Sequence, residues 1–181
     1  MSVSYQGINF EPLYTKAQIA QIVKAIAQRI ATDYAGKQPH FICVLKGSVF
    51  FATDLLRALP MDCTMSFVQL SSYQGMASCG KVEEVLALNA DIRGKDVIII
   101  EDIIDSGLTM HAFKQRLERE QPASIALAAL LFKPEQLLYE DARPDYYGAE
   151  ITKEFVIGYG LDLDGLARNL PEIYKANKRN E

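Results

Sequence analysis

The residues best suited to chemistry lie between Lys95 and Thr109. Four β-branched apolar residues, Val97-Ile98-Ile99-Ile100, lead into two adjacent carboxylates, Glu101 and Asp102, and then into Asp105-Ser106-Gly107-Leu108-Thr109. The unbroken apolar run predicts a buried strand, which the two acids stop. Met110 to Glu120 predicts a helix. The acids then sit at the carboxyl end of a strand, with the hydroxyls and Gly107 at a helix N-terminus. In open α/β sheets this is where ligands bind. Free backbone N–H groups at a helix start suit a phosphate. Carboxylates suit it only when hydroxyl groups or a divalent cation stand between them. The stretch therefore calls for a ligand with a phosphate, hydroxyls and a bound divalent cation, which a sugar phosphate provides.

Similar grammar recurs elsewhere. Lys46-Gly47-Ser48 breaks the apolar strand His40–Leu45 and precedes a helix from Val49 to Leu59. Lys133 ends the all-apolar run Ser124 to Phe132. Asp162 follows a strand from Glu154 to Leu161, and Arg168 lies in a short helical turn from Leu166 to Leu170. Placed at one sheet edge, Lys46, Glu101, Asp102, Asp105, Ser106, Thr109, Lys133, Asp162 and Arg168 bring four carboxylates and three cations into one crevice. That set suits a metal-bridged polyphosphate. No G-x-x-x-x-G-K-[ST] occurs, which excludes an NTPase P-loop, and no G-x-G-x-x-G supports dinucleotide binding. The only two histidines, His40 and His111, supply neither a hydrolase triad nor a zinc site.

The elements that must position these groups follow in order. Met1 to Pro12 is an irregular lead with one strand-like piece. Thr15 and Gln18 have the spacing of a capping box, opening a helix that ends near Tyr34-Ala35-Gly36. Cys63 to Leu70 is a strand, and Val82 to Leu88 returns towards it. Between them Ser71 to Gly80 is small, polar and glycine-punctuated, so residues 71–84 are assigned to a mobile lid containing Ser72 and Tyr73. Pro144 to Gly148 forms a short strand, and the tail Lys175 to Glu181 is charged and frayed. The order β-α-β-lid-β-α-β-β predicts an α/β fold: a mainly parallel twisted sheet with helices on both faces. The lead and the segment at about 150–175 fit that sheet poorly and are assigned to a small hood over its carboxyl edge.

The 181 residues suit one domain spanning 1–181, and 49% hydrophobic with 23% charged residues is ordinary globular composition. A net charge of −4 and a pI of about 5.3 carry no bulk footprint of nucleic-acid binding. No apolar run is long enough to span a membrane, and no cationic start with an apolar core suggests a signal peptide. Three widely spaced cysteines, Cys43, Cys63 and Cys79, predict reduced thiols and a cytoplasmic location, with Cys43 and Cys63 buried in apolar runs.

Val97 to Thr109 closely resembles the 5-phosphoribosyl-1-pyrophosphate (PRPP) signature of type I phosphoribosyltransferases. Leu45-Lys46-Gly47, Ser72-Tyr73, Lys133, and Phe155 to Asp162 with Arg168 resemble the motifs of its hypoxanthine-guanine branch. The resemblance spans roughly positions 12 to 174. It implies transfer of the phosphoribosyl group of PRPP to hypoxanthine or guanine, giving IMP or GMP and pyrophosphate, with Mg²⁺ and with homodimers or homotetramers. It further implies Asp105 as the base at purine N7, and Asp105, Ser106, Gly107, Leu108 and Thr109 as the 5′-phosphate cradle. Glu101 and Asp102 would hold the ribose hydroxyls directly or through Mg²⁺, and Lys46, Gly47 and Arg168 would meet pyrophosphate. Lys133, Phe155 and Val156 would bind the purine, with Asp162 near its 2-position and a second Mg²⁺. Leu108 departs from the polar or basic residue common at its place. The alternatives within this fold are a xanthine-preferring transferase and a nucleotide-sensing, RNA-binding regulator.

Overall fold

In the computed structural model the described residues are 2–72 and 82–177. The long helix α1 (Lys16–Asp33) starts at the expected capping box: the Thr15 side chain accepts from the Gln18 N–H, and the Gln18 side chain accepts from the Thr15 N–H. The strands β3 (His40–Leu45) and β7 (Ser124–Phe132) have the predicted ends. With β4 (Thr64–Ser72), β5 (Val82–Leu86), β6 (Asp96–Ile104) and β8 (Tyr146–Glu150) they form a six-stranded sheet ordered β5-β4-β3-β6-β7-β8. All neighbours are parallel except β5, which returns antiparallel to β4.

Strand alternation divides the core between the two faces of this sheet. Phe41, Cys43, Ile98 and Ile100 face α1 and α2 (Val49–Ala58). Ile42, Val44, Val97 and Ile99 face α3 (Leu108–Glu118), which inserts Met110, Phe113 and Leu117. The α/β arrangement read from the sequence is therefore present, with one antiparallel edge strand. Among the described residues no helix is long and apolar enough to cross a membrane.

A second, four-stranded sheet is ordered β1-β2-β10-β9, with β1 (Val3–Tyr5), β2 (Ile8–Tyr14), β9 (Val156–Ile157) and β10 (Ile173–Ala176). It has its own small core of Phe10, Ile157, Ala167 and Tyr174.

Several local expectations are corrected. The acids do not stop β6, because β7 keeps supplying partners: Glu101 pairs with Ala129 and Ile103 with Leu131. The lead holds two strands, and Lys175 and Ala176 belong to β10, since each gains a partner distant in sequence. Residues 166–170 form no helix. Asp164, Gly165 and Ala167 have φ of 49°, 84° and 69°, outside the right-handed helical region, and Leu163 bridges Leu166 instead. The strand expected at 154–161 shrinks to two residues, because Gly158 and Gly160, with φ of 93° and 105°, turn the chain out of the sheet. Cys43 is buried, but Cys63 precedes β4 and is half-buried. Cys79, Tyr73 and most of the 71–84 segment lie outside the described residues.

Candidate active site

The carboxyl end of β6 and the start of α3 enclose a cavity of about 240 Å³ lined by Glu101 through Met110. Gly107 has φ of 78° at the N-cap position, and a Cβ there would come within 2.9 Å of both Leu137 and Ala142. Its lack of a side chain and its left-handed backbone are both required. The first amide of α3 to bond back into the helix is that of His111, which donates to the Gly107 carbonyl (2.8 Å). The amides before it precede the first helical bond, that of Leu108 donating weakly to Ser106 Oγ (3.4 Å), and a helix start of this kind suits an anion. Ser106 and Thr109 are half-buried at its rim, and Leu108 is exposed.

Beside this cradle the Asp102 N–H donates to Glu101 Oε1 (3.0 Å) and the Ile103 N–H donates to Asp102 Oδ1 (2.7 Å). Desolvation, and then the neighbouring Asp102 charge, push the Glu101 carboxyl well above the usual carboxylate range. Desolvation also raises Asp102, while its bond with Glu101, the Ile103 amide and the Arg168 charge hold it back. Two crowded, desolvated carboxylates are a donor set that a hard divalent cation relieves, and Mg²⁺ characteristically combines one or two carboxylates with ligand oxygens. Among the described residues no cluster of three or more His, Cys, Asp or Glu could hold a metal by itself. The acid pair therefore fits Mg²⁺ as a partial shell that a ligand completes.

The Lys46-Gly47 turn lies over this pair. A Cβ on Gly47 would overlap the Asp102 carboxylate, and a Cβ on Gly160 would overlap the Gly47 carbonyl oxygen. Lys46 is exposed, and its peptide bond with Leu45 is cis. From the other side, Arg168 Nη1 donates to the Gly160 carbonyl and Nη2 pairs with Asp162 Oδ1, each at 2.6 Å. The second oxygen of Asp162 accepts from the Gly165 N–H (2.6 Å), so both its oxygens are held by protein donors.

A second cavity, also about 240 Å³, adjoins the first and shares Asp102, Ile103 and Asp105 with it. Its other walls include Lys133, Phe155, Val156 and Asp162. Lys133 is only 8% exposed, and its ammonium donates to Asp105 Oδ2 (2.9 Å). Phe155 is 48% exposed, with its ring centroid 6.3 Å from that of Phe10. The Phe155 carbonyl accepts from Ala176 on β10. Antiparallel alternation then turns the backbone groups of Val156 away from β10, on the side of β9 that no other described strand pairs.

The structure thus gathers Glu101, Asp102, Asp105 to Thr109, Lys133, Phe155, Val156 and Asp162 around two joined cavities. Gly47 abuts Asp102, and Arg168 reaches the same corner through Asp162. Ser72 ends β4. Reading the sequence missed Ile103, Glu154 and Leu161, which also line the second cavity, and Gly160 and Gln136, which touch Gly47 and Asp105. The glycine pair in Gly158-Tyr159-Gly160 was the one available signal for a close backbone approach.

A cleft at the carboxyl edge of a parallel sheet, with an acid pair feeding a phosphate-type loop, defines a class, and comparison agrees with it. Residues 10–164 match the phosphoribosyl transferase domain family. The chain belongs to that family of transferase enzymes. It is 37% identical over 162 residues, 89% of each chain, to a hypoxanthine-guanine phosphoribosyltransferase of Streptococcus thermophilus. It is 37% identical over 161 residues, 89% of this chain and 88% of the other, to a hypoxanthine-guanine-xanthine phosphoribosyltransferase of Tritrichomonas foetus. The crystal structure of a hypoxanthine-guanine phosphoribosyltransferase from Bacillus anthracis superimposes with a TM-score of 0.87 at 38% identity, covering 91% of this chain and 97% of that one.

Proposed function

We propose that this enzyme transfers the 5-phosphoribosyl group of PRPP to N9 of hypoxanthine or guanine, giving IMP or GMP and pyrophosphate. The observation that carries the reading is the junction of two cavities at Asp102, Ile103 and Asp105, one lined by the amide-rich loop and the other by Lys133, Phe155 and Val156. A sugar phosphate and a flat oxo-heterocycle fill complementary halves of that space.

In this reading the loop from Asp105 to Thr109 binds the 5′-phosphate through backbone N–H groups and the Ser106 and Thr109 hydroxyls. Leu108 contributes its amide alone. Glu101 and Asp102 accept from the ribose hydroxyls. Lys46, the Gly47 amide and Arg168 stabilise charge that gathers on pyrophosphate as its bond to C1′ breaks. Glu101 and Asp102 would hold Mg²⁺, which when bound would supply further neutralisation of charge on the leaving group. Asp162 lies by the base and serves a metal only if Arg168 releases it. Phe155 stacks on the purine, and Val156 offers backbone groups to its edge. As N9 bonds to C1′, the N7 proton passes to Asp105, which leaves a neutral purine in the product. Lys133 donates to the purine 6-oxygen. A 6-amino group would oppose one donor to another, so the site favours 6-oxopurines.

The four-stranded sheet acts as the hood and residues 71–84, with Ser72 and Tyr73, as the lid, together excluding water from the cation-like C1′ centre. The enzyme works in the cytoplasm as a homodimer or homotetramer, without nucleic-acid or membrane partners. Incubation with PRPP, Mg²⁺ and each of hypoxanthine, guanine, xanthine and adenine tests the reading. IMP and GMP are expected, and their absence overturns it. The Tritrichomonas relative's name includes xanthine, which makes that base the informative third arm.

A further inference from the structure

We propose that Gln136 is a positioning residue that holds the Asp105 carboxylate in its proton-accepting orientation while Lys133 turns to the substrate. The assignment rests on the reading of Asp105 as the base.

The segment 133–138 runs alongside the phosphate loop and is tied to it at both ends. The Lys133 N–H donates to the Ile104 carbonyl, and the Leu138 N–H donates to the Ser106 carbonyl, each at 2.9 Å. Between these ties, Pro134–Gln136 makes one 3₁₀ turn, closed by the Gln136 N–H on the Lys133 carbonyl (3.1 Å). Leu137 packs against Gly107. The turn therefore has a fixed place opposite Asp105, and Gln136 is half-buried on it.

The Gln136 carboxamide faces the Asp105 carboxylate. Only with its nitrogen turned to Asp105 does it satisfy both groups: it then donates to Oδ2 (3.2 Å) and also to Oδ1. The opposite orientation would set an acceptor against acceptors. Asp105 thus has two side-chain donors, Gln136 and Lys133.

The two donors differ in kind. Lys133 is a charge on a flexible stem, and the proposed purine 6-oxygen competes for it. When Lys133 leaves, Gln136 remains and keeps the carboxylate in one rotamer. An amide does so without bringing a second positive charge to a group that must accept a proton. Binding of PRPP does not need this contact, because the loop amides hold the phosphate whatever the Asp105 rotamer.

The test is steady-state kinetics with hypoxanthine and PRPP on the full chain, with melting temperatures recorded for each variant. Gln136→Met keeps the length and removes the donor. Its kcat is expected to fall about tenfold, with KM for PRPP within about twofold of wild type. Gln136→Asn keeps an uncharged amide donor on a stem one methylene shorter and is expected to recover part of that kcat. Gln136→Ala replaces Gln136→Met if the latter melts early. Unchanged kcat in the donor-free variant overturns the assignment. So does an equal loss in the Met and Asn variants with KM for PRPP raised in both, the mark of a packing role. An inactive wild-type enzyme is a different failure: it overturns the reading of function, and this assignment falls with it.

Discussion

The Lys133 ammonium lies 2.9 Å from Asp105 Oδ2, so the proposed 6-oxo donor and the proposed base are partners before substrate enters. The lysine is nearly buried and the aspartate side chain is half-exposed. A charge this enclosed exchanges one partner for another, and in the proposed reaction that partner is the oxygen of a 6-oxopurine. Replacing Lys133 by Met leaves that oxygen without a charged donor. The ratio of kcat/KM for hypoxanthine to that for adenine is expected to fall about 100-fold, almost wholly through loss with hypoxanthine. The four-base panel measures it.

Asp105→Asn keeps shape and hydrogen-bonding capacity but cannot accept the N7 proton. Turnover is expected to fall by about 10²- to 10³-fold, while the Kd for PRPP, measured by calorimetry, changes less than about threefold. An equal loss in both would contradict its role as base.

Glu101 and Asp102 hold like charge in a desolvated corner, so in the free protein they oppose folding. Glu101→Gln removes one charge. At pH 8 in EDTA the variant is expected to gain about 1–2 kcal/mol of stability, seen as a Tm higher by about 2–6 °C. The same variant should show a KM for PRPP raised at least about tenfold at saturating Mg²⁺. A less stable variant would mean that the pair is already compensated.

Gly160 has φ of 105° and faces the Gly47 carbonyl without room for a Cβ. Gly160→Ala adds both backbone strain and an overlap. It should lose about 2–4 kcal/mol in urea titration. The KM for PRPP should rise too, because the displaced Gly47 turn covers Asp102.

His40 reports pH from the opposite end of the sheet. It is buried at the start of β3, with Nδ1 sharing a hydrogen with Thr64 Oγ1 (2.8 Å). Burial, and then the Lys95 charge, hold its pKa below the ordinary histidine value. Below about pH 6.5 the unfolded chain binds a proton that the folded chain refuses. Stability therefore falls as pH drops from about 6.5 towards the folded-state pKa, by at most about 1.4 kcal/mol per pH unit from this group. Urea titrations between pH 5 and 8 should show that slope flattened in His40→Gln. An unchanged slope would assign it to other groups.

What was legible in the sequence was local. The all-apolar runs of β3 and β7 and the capping box of α1 announce their own ends, because burial and capping act within a few residues. The acid pair and the glycine-hydroxyl turn were legible for the same reason. Elements whose partners are distant were not: β6 continues through its acids because β7 lies alongside, and Lys175 pairs because β2 and β9 flank it. The helical turn expected around Arg168 failed on positive φ at Asp164 and Ala167, and Ala is a residue type that rarely takes it. Gln136 matters through a loop that meets Asp105 only in three dimensions, and its neighbours carry no trace of that, whereas for Gly160 the nearby Gly158 was the one hint.

The order of the smaller sheet, β1-β2-β10-β9, has a consequence for a nascent chain. Ile173–Ala176 wedges between strands drawn from opposite regions of the sequence, and among the described residues it is the one strand partner of the strand that follows Phe155. The larger sheet can be paired once residue 150 has left the ribosome. The cavity wall at Phe155 and Val156 must wait for the chain to emerge past Ala176. Stalled translation products ending between these points would carry the loop from Asp105 to Thr109, the proposed phosphate cradle, but lack a braced wall at Phe155 and Val156. A ribosome-arrested series should therefore acquire affinity for PRPP before it acquires turnover.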